Sequence, residues 1–381
     1  MVVDLKIFEG VKTPFYYYDK RLLEATLAEI ERCISGHPVK VLYAIKANTN
    51  PEILRIVAAH GFGADCVSGN EVDAAIEAGF PAKYIYYAGV GKTDEEIARA
   101  IDHNIGCFNI ESIEEIEIIA GIAAMKNKTA NVALRINPHI DAHTHHYITT
   151  GLAENKFGID ITLLEKAVAA VTAHPSLRLI GLHFHIGSQI TTMEPYRILC
   201  ERINAITKQL VHNGIECKFI NVGGGLGIDY DRPDANPIAD FKGFFDTILG
   251  NLDVEPGQIV CCELGRSIVA QCGSLISKVV LVKKGLEREF VIIDAGMSDL
   301  IRPALYEAHH KIENISAAPT AEMATYDVVG PVCESADVFG KDEILPATRR
   351  GDLIAIRSAG AYGETMASRY NMRDLPGTLL R

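Results

Sequence analysis

The sequence of 381 residues lacks a surplus of positive charge, a long apolar run and any C-x-x-C pair. Its net charge of −12 leaves no basic surface to hold phosphate backbones, which argues against a nucleic-acid partner. No stretch approaches the roughly 18 uninterrupted apolar residues of a membrane span. Asp4 and Lys6 interrupt the apolar start, which argues against a signal peptide. Nine scattered cysteines fit reduced thiols in a cytoplasm better than a disulfide framework or a zinc site.

What the sequence does contain is a regular alternation of short β-branched or aromatic runs with helical patterns. Helical spacing is found at 51–61, 70–79, 93–103 and 193–213. Apolar strands separated by amphipathic helices predict parallel strands with right-handed crossovers. Eight such units match a (β/α)₈ barrel, which typically takes about 250 residues, and an open doubly wound sheet is the alternative. The predicted strands are 39–46, 64–68, 84–89, 106–110, 131–138, 177–186, 218–225 and 258–264.

After Arg266 the pattern changes to successive β runs with few long helices between them. This pattern predicts an antiparallel β domain. The aromatic run at 13–19 has no helical partner nearby, so we assign it to the same domain. The predicted organisation is therefore a barrel over 22–270 and a β domain built from 1–21 and 271–381.

Polar residues collect at one end of the predicted barrel. The chemistry of such barrels lies at the C-terminal ends of the strands. A lysine is rarely buried, so Lys46 at the inner end of an apolar run is either an exit into solvent or a desolvated, reactive amine. The number of polar features at this one end favours the reactive amine. These features are Lys46, Asp65, Arg135, His183-Phe184-His185, Gly223-Gly224-Gly225 and Glu263.

The glycine stretch at 221–230 lacks the G-x-G-x-x-G spacing of a dinucleotide fingerprint. Its backbone N–H groups suit a phosphate, which recurs after the last strands of such barrels, and a flexible turn is the alternative. The histidines at 143–147 and 183–185 have no carboxylate or thiol at a ligand-like offset. We therefore expect packing or ring stacking there and no metal.

A lysine amine, a phosphate-binding turn, a flat-lying histidine and a glutamate at one rim together indicate pyridoxal 5′-phosphate. The aldehyde of this cofactor needs a lysine for a Schiff base, its phosphate needs N–H donors, and its pyridine nitrogen needs an acidic partner. The residues alone predict a pyridoxal-phosphate barrel enzyme that acts at the α-carbon of an amino acid.

Eight motifs along nearly the whole chain resemble the diaminopimelate decarboxylase family, whose fold type is that of alanine racemase. They are YAIKAN (43–48), HHYITTGLAENKFGI (145–159), HFHIGSQI (183–190), GGGLGI (223–228), ELGRSIVA (263–270), DAGMSDLIRPALYEAHH (294–310), GPVCESADVFGKD (330–342) and AGAYGETMASRYN (359–371). Two departures stand out, because Leu264 replaces an expected proline and Ser298 replaces the more usual asparagine.

The resemblance implies roles for individual residues. Lys46 resembles the Schiff-base lysine, His185 the histidine on the cofactor ring, and Glu263 the partner of the pyridine nitrogen. Cys333 resembles the proton donor, and in the family this cysteine and the next glutamate enter the site from the other subunit, which implies a homodimer with shared active sites. The other implied cofactor contacts are Asp65, Arg135, Ser188, Gly224, Gly225, Leu264, Gly265, Arg266 and Tyr362. The implied substrate contacts are Arg266, Arg302, Tyr306, Glu334 and Tyr362.

The implied substrate, meso-diaminopimelate, carries an amino acid at each end. Arg266 and Arg302 suit its carboxylates, because a guanidinium binds a carboxylate in two-pronged fashion. Glu334 suits the distal ammonium, whereas the ornithine-using relatives have Asp-Gly where this chain has Glu334-Ser335. The alternatives are a decarboxylase of another basic amino acid or of a carboxylated polyamine, and a cofactor-binding homologue without turnover.

Overall fold

The computed structural model describes residues 4–140, 156–318 and 320–381. The chain divides into two compact units. The first, here called the barrel unit, comprises Leu27–Gly227 and Asp240–Gly265. The second, here called the β unit, comprises Met1–Thr26, Ile228–Ala239 and Arg266–Arg381. The segment Ile228–Ala239 lies inside the range 22–270 predicted for the barrel domain, yet it groups with the β unit.

The chain begins with strand β1 (Phe15–Tyr18) of the β unit and helix α1 (Lys20–Ile34), and strands then alternate with helices. The strands are β2 (Val39–Ala44), β3 (Gly63–Cys66), β4 (Ile85–Tyr87), β5 (Cys107–Ile110), β6 (Ala130–Asn137), β7 (Ile159–Asp160), β8 (Leu177–His183), β9 (Phe219–Gly224) and β10 (Ile259–Leu264). The helices are α2 (Pro51–Ala59), α3 (Gly69–Ala78), α4 (Asp94–Asp102), α5 (Ile113–Met125), α6 (Leu164–Thr172), α7 (Glu194–His212) and α8 (Phe241–Asn251).

Eight parallel strands close into a barrel. Their order is β5-β4-β3-β2-β10-β9-β8-β6, and β6 pairs again with β5. The predicted (β/α)₈ barrel is confirmed, and the β5–β6 pairing rules out the open sheet. The two-residue strand β7 pairs with Ile136 and Asn137 at the end of β6 and was not predicted. The interior is filled by side chains from many strands, among them Leu42, Tyr86, Cys107, Ala133, Phe219 and Cys261.

Helix caps fix the loops that follow the strands. Asn50, Ser68 and Ser112 each accept a hydrogen bond from a backbone N–H in the first turn of the next helix. Thr93 forms a full capping box with Glu96. Each such cap contributes about 1 kcal/mol and sets where the helix begins. The loops at the C-terminal rim of the barrel are therefore positioned by local sequence signals.

The β unit contains one mixed sheet. After β10 the chain continues with α9 (Arg266–Val269), β11 (Gly273–Lys284), β12 (Glu289–Ile293), α10 (Arg302–Tyr306), β13 (Ile312–Asn314), β14 (Met323–Val329), β15 (Val338–Pro346), β16 (Leu353–Ile356) and β17 (Gly377–Leu380). The strand order is β13-β16-β11-β12-β14-β15, and β1 joins β11, which confirms the predicted place of the N-terminal strand. The sheet is mostly antiparallel as predicted, but the pairs β1–β17 and β12–β14 are parallel.

No helix in residues 4–140, 156–318 and 320–381 has the length and apolar character that crossing a membrane requires.

Candidate active site

Lys46 lies directly after β2, in a short 3₁₀ turn formed by Ile45–Ala47. Its Nζ donates to Oδ2 of Asp65 on β3 at 3.3 Å. The Lys46 side chain is 39% exposed while that of Asp65 is 1% exposed. The amine is thus accessible at the rim, whereas the sequence pattern predicts a desolvated one. Burial and the charge of Glu263 raise the pKa of Asp65 to about 6, because a second carboxylate nearby disfavours ionisation.

Glu263, near the end of β10, is a buried carboxylate with two donors. His183 Nε2 donates to it at 3.1 Å and Asn221 Nδ2 at 2.7 Å. Burial alone would raise the pKa of Glu263, but the interactions with His183, His185 and Lys46 lower it well below its usual range. Glu263 is therefore ionised at neutral pH inside the barrel.

The glycine turn after β9 connects to this carboxylate through Asn221. The Asn221 side-chain oxygen accepts from the N–H of Gly223 at 3.0 Å. The N–H of Gly224 donates to His185 Nδ1 at 3.3 Å, so an anion at this turn would compete with His185 for that donor. A Cβ on Gly224 would lie 1.7 Å from the carbonyl oxygen of Glu263, and the φ of Gly225 is +97°. Only glycine fits at these two positions.

His185 presents a neutral imidazole at the same rim. Removal from solvent, and then the charge of Arg135, lower its pKa to about 3. A neutral, planar ring suits stacking on an aromatic cofactor better than it suits pairing with an anion.

Arg135 on β6 is buried and pairs with Glu111, a residue not singled out from the sequence. Its Nη1 donates to Glu111 Oε1 at 2.7 Å. The same carboxylate accepts from the N–H of Gly89 at 3.0 Å and from that of Gly158 at 2.9 Å. Glu111 therefore orients the guanidinium of Arg135 and holds the backbone at Gly89 and at Gly158.

In the β unit, Arg266 and Arg302 are both buried and share one hydroxyl. Arg266 Nη1 donates to the Tyr230 hydroxyl at 2.6 Å, and Arg302 Nη1 donates to it at 2.9 Å. The Arg266 guanidinium also lies 4.9 Å from the ring centre of Tyr362. The structure thus brings two predicted substrate residues, Arg266 and Arg302, together at Tyr230, which was not predicted, and a third, Tyr362, lies against Arg266.

Cys333 and Glu334 form an exposed loop of the β unit. The N–H of Cys333 donates to Asn371 Oδ1 at 3.0 Å, and the Tyr370 hydroxyl donates to Glu334. This hydrogen bond holds the Glu334 carboxylate in place, although the surrounding surface is open in the single chain.

The remaining predicted residues lie close to these groups along the chain. Tyr306 is the last residue of α10, and Ser188 is partly buried beyond β8. Leu264 is fully buried. A Cβ on Gly265 would lie 2.9 Å from the Ala47 side chain, so this residue approaches the turn that carries Lys46. The histidine run 143–147 and most of the motif at 145–159 lie outside the described residues.

The sequence contained one usable signal for Asn221, which was missed. Asn221 and His183 are fully buried polar residues within apolar runs. A buried polar group needs a hydrogen-bond partner, so a polar residue in a core strand indicates a network. For Tyr230 no comparable signal exists, because a partly buried tyrosine is unremarkable in any loop.

The barrel residues fit pyridoxal phosphate. Lys46 supplies an accessible amine, Glu263 supplies an ionised carboxylate, and the turn at Gly224–Gly225 supplies a backbone that carries no side chain. Two buried polar atoms, Asp65 Oδ1 and His183 Nδ1, have no hydrogen-bond partner among the described residues. Such atoms suit a polar ligand, because an unpaired buried polar group is costly.

This fold and this set of rim residues define the class of pyridoxal-dependent barrel enzymes. Residues 21–270 match the family model described as "Pyridoxal-dependent decarboxylase, pyridoxal binding domain". Diaminopimelate decarboxylase of Bacteroides thetaiotaomicron is 54% identical over 370 residues, covering 97% of this chain and 95% of that protein. The chain belongs to the diaminopimelate decarboxylase family.

The chain is also similar to solved structures of decarboxylases. The diaminopimelate decarboxylase of Helicobacter pylori, complexed with L-lysine, is 41% identical with a TM-score of 0.93, covering 99% of this chain and 93% of that one. The M. jannaschii enzyme, also in complex with L-lysine, is 36% identical with a TM-score of 0.91, covering 99% of this chain and 89% of that one. A lysine/ornithine decarboxylase of Vibrio vulnificus, 21% identical with a TM-score of 0.84 over 99% of this chain and 96% of that one, shares the fold.

Proposed function

We propose that the protein decarboxylates meso-2,6-diaminopimelate to L-lysine and CO₂ with pyridoxal 5′-phosphate as cofactor. The observation that carries the proposal is the buried, ionised Glu263, which accepts hydrogen bonds from His183 and Asn221. An ionised partner keeps a pyridine nitrogen protonated. The similarity to diaminopimelate decarboxylases over 97% of the chain supports the choice of substrate.

The barrel residues would hold the cofactor in the following way. Lys46 would bind its aldehyde, Glu263 its ring nitrogen and Gly224–Gly225 its phosphate, and His185 would stack on its ring. The bound cofactor supplies an electron sink for the electron pair left at the α-carbon when CO₂ departs. Asp65 orients the Lys46 amine through their 3.3 Å hydrogen bond. Arg135, held by Glu111, adds a fixed positive charge at the same rim.

The β unit would supply substrate recognition and the final proton. Arg266 and Arg302 would bind carboxylate, since each has a guanidinium suited to a two-pronged interaction. Glu334 would bind the distal ammonium, and Cys333 would deliver the proton to the α-carbon. The Glu334-Ser335 pair supports diaminopimelate over ornithine, since ornithine-using relatives carry Asp-Gly there. Tyr306 and Tyr362 would line the same substrate region.

The protein would act as a homodimer in the cytoplasm. Cys333 and Glu334 of one subunit would complete the site on the barrel of the other. The exposure of both residues in the single chain supports this arrangement. All nine cysteines are free thiols, which fits a reducing compartment.

The test is to incubate the purified holoenzyme with meso-diaminopimelate, L-ornithine and L-arginine and to measure CO₂. We expect release from meso-diaminopimelate alone. A preference for ornithine or arginine would indicate a decarboxylase of another basic amino acid. A protein that binds the cofactor and releases no CO₂ from any of the three would contradict the proposed activity.

A further inference from the structure

Tyr230 stands between two buried guanidinium groups of the β unit. Its hydroxyl accepts from Arg266 at 2.6 Å and from Arg302 at 2.9 Å. The Arg302 guanidinium also lies 5.1 Å from the centre of the Tyr230 ring, so the phenol contacts it with both its oxygen and its face. One side chain thus holds two positive charges near each other. Burial alone would raise the pKa of its hydroxyl, but these charges lower it.

Such an arrangement is costly without a ligand. Burial, together with the neighbouring Arg266, lowers the pKa of Arg302, although Tyr230 opposes this effect. Two like charges away from water repel one another, and an added anion relieves the repulsion. A hydroxyl between them fixes the spacing of the guanidinium groups without neutralising either. Both therefore keep the positive charge that a carboxylate needs.

The Arg302 guanidinium is also held by a second side chain, His310. His310 Nδ1 donates to the Arg357 carbonyl at 2.9 Å, which leaves Nε2 as the acceptor for Arg302 Nη1 at 3.0 Å. Burial, and then the charge of Arg302, lower the pKa of His310 to about 3, so this ring is neutral. Arg302 is therefore held between two acceptors, Tyr230 and His310.

The segment that carries Tyr230 is anchored independently. Asp234, four residues further on, accepts from Arg357 Nη2 at 2.9 Å. Arg357 also donates to Glu313 at 2.7 Å, so its guanidinium bridges the segment and β13. Tyr230 thus sits on a restrained stretch of chain, and a positioning side chain needs this restraint.

We propose that Tyr230 is a positioning residue for carboxylate recognition, whose hydroxyl sets Arg266 and Arg302 at the spacing that binds the carboxylate of the amino-acid substrate and product. The inference rests on the proposed function, and it adds a determinant that acts through the two arginines. The ligand class is an amino acid with a free carboxylate, as opposed to a diamine.

The test compares the holoenzyme with the variant Tyr230→Phe, which removes only the hydroxyl. The dissociation constant of L-lysine should rise about tenfold or more, the loss expected for one hydrogen bond to a charged group. That of 1,5-diaminopentane, which has both amines of lysine and no carboxylate, should change less than about twofold. The KM for meso-diaminopimelate should rise more than kcat falls, while the visible absorbance of the bound cofactor stays unchanged.

The matched control is Tyr326→Phe in the same unit. The Tyr326 hydroxyl is buried and accepts from the Thr348 N–H at 3.2 Å, so its removal imposes a comparable structural loss. This control should leave both dissociation constants within about twofold of wild type.

Two results would overturn the inference. One is an unchanged affinity of Tyr230→Phe for L-lysine. The other is an equal loss of affinity for L-lysine and for 1,5-diaminopentane. If Tyr230→Phe does not fold, His310→Leu removes the other acceptor of Arg302. This variant should lower the affinity for L-lysine and leave that for 1,5-diaminopentane nearly unchanged. A wild-type protein that releases no CO₂ while the selective loss of lysine binding persists would reject the proposed function and leave the positioning role intact.

Discussion

Asn221→Asp should make the stability of the protein fall with rising pH. The substitution replaces one amide NH₂ group by oxygen and keeps the shape of the side chain. In the wild type this group donates to Glu263 Oε1 at 2.7 Å inside the barrel. The variant would place a second carboxylate at that distance, with His183 as the third member of the cluster.

The magnitude follows from the separation. Two ionised carboxylates 2.7 Å apart repel by about 6 kcal/mol at an effective dielectric constant of about 20. The folded variant avoids much of this repulsion by binding one proton, which the two carboxylates share. The unfolded chain releases that proton, because a free Asp has a pKa of about 3.9. The folded state then binds more protons than the unfolded state, so stability falls by about 1.4 kcal/mol per pH unit.

Urea denaturation of the wild type and of Asn221→Asp at pH 7, 7.5, 8 and 8.5 would measure this slope. The difference in unfolding free energy should grow by about 2 kcal/mol across that range and stay below the ceiling of about 6 kcal/mol. The control is Asn131→Asp on β6, whose amide donates to the Gly106 carbonyl at 3.2 Å. Its destabilisation should not depend on pH. A pH-independent loss in Asn221→Asp would refute the charged Glu263 network.

Three further predictions concern the proposed chemistry. Lys46→Ala should abolish CO₂ release and the visible absorbance of bound cofactor, whereas Lys40→Ala on β2, the strand before Lys46, should keep both. Glu334→Gln should lower kcat/KM for meso-diaminopimelate by the equivalent of about 2–5 kcal/mol, since the amide cannot form an ion pair with the distal ammonium; a change under about threefold, or roughly 0.7 kcal/mol, would exclude a substrate contact. Mixing inactive Lys46→Ala and Cys333→Ala subunits should restore about a quarter of wild-type activity, because half of randomly paired dimers are mixed and each has one intact site. Tagged heterodimers that stay inactive would place each site within one chain.

The barrel was predictable because its signals are local. Parallel strands buried on both faces appear as continuous apolar runs, and the helical spacing predicted at 93–103 corresponds to α4, which begins with a capping box. Closure was less certain, since the pairing of β2 with β10, the first and last strands of the barrel, joins segments far apart in the sequence and leaves no trace in either run. The parallel pairs β1–β17 and β12–β14 were missed for the same reason, because pairing direction depends on connections outside the strands.

Only the residues at the strand ends of the candidate site were predictable from the sequence. Residues at the strand ends, such as Lys46 and Glu263, could be found because a charge after an apolar run is conspicuous. The residues that pair with the site residues could not be found in this way, since Glu111, Asn221 and Tyr230 contact partners far away in sequence. Tyr230 lies 36 positions from Arg266 and 72 from Arg302, so no spacing rule links the three. Only the fold brings such partners together.

The side chains that donate hydrogen bonds to Glu263 do not contribute independently of each other. Its three side chains come from adjacent strands, His183 from β8, Asn221 from β9 and Glu263 from β10, and each strand supplies one. Removing either donor leaves the other still pairing with the carboxylate, but removing both leaves a buried charge with neither. The second loss must therefore cost more than the first, because an unpaired buried charge is far more costly than one that keeps a partner. Residues in one hydrogen-bond network do not contribute additively. The ionisation of Glu263 is accordingly a property of three strands together, and no one of these residues can be assigned its own share.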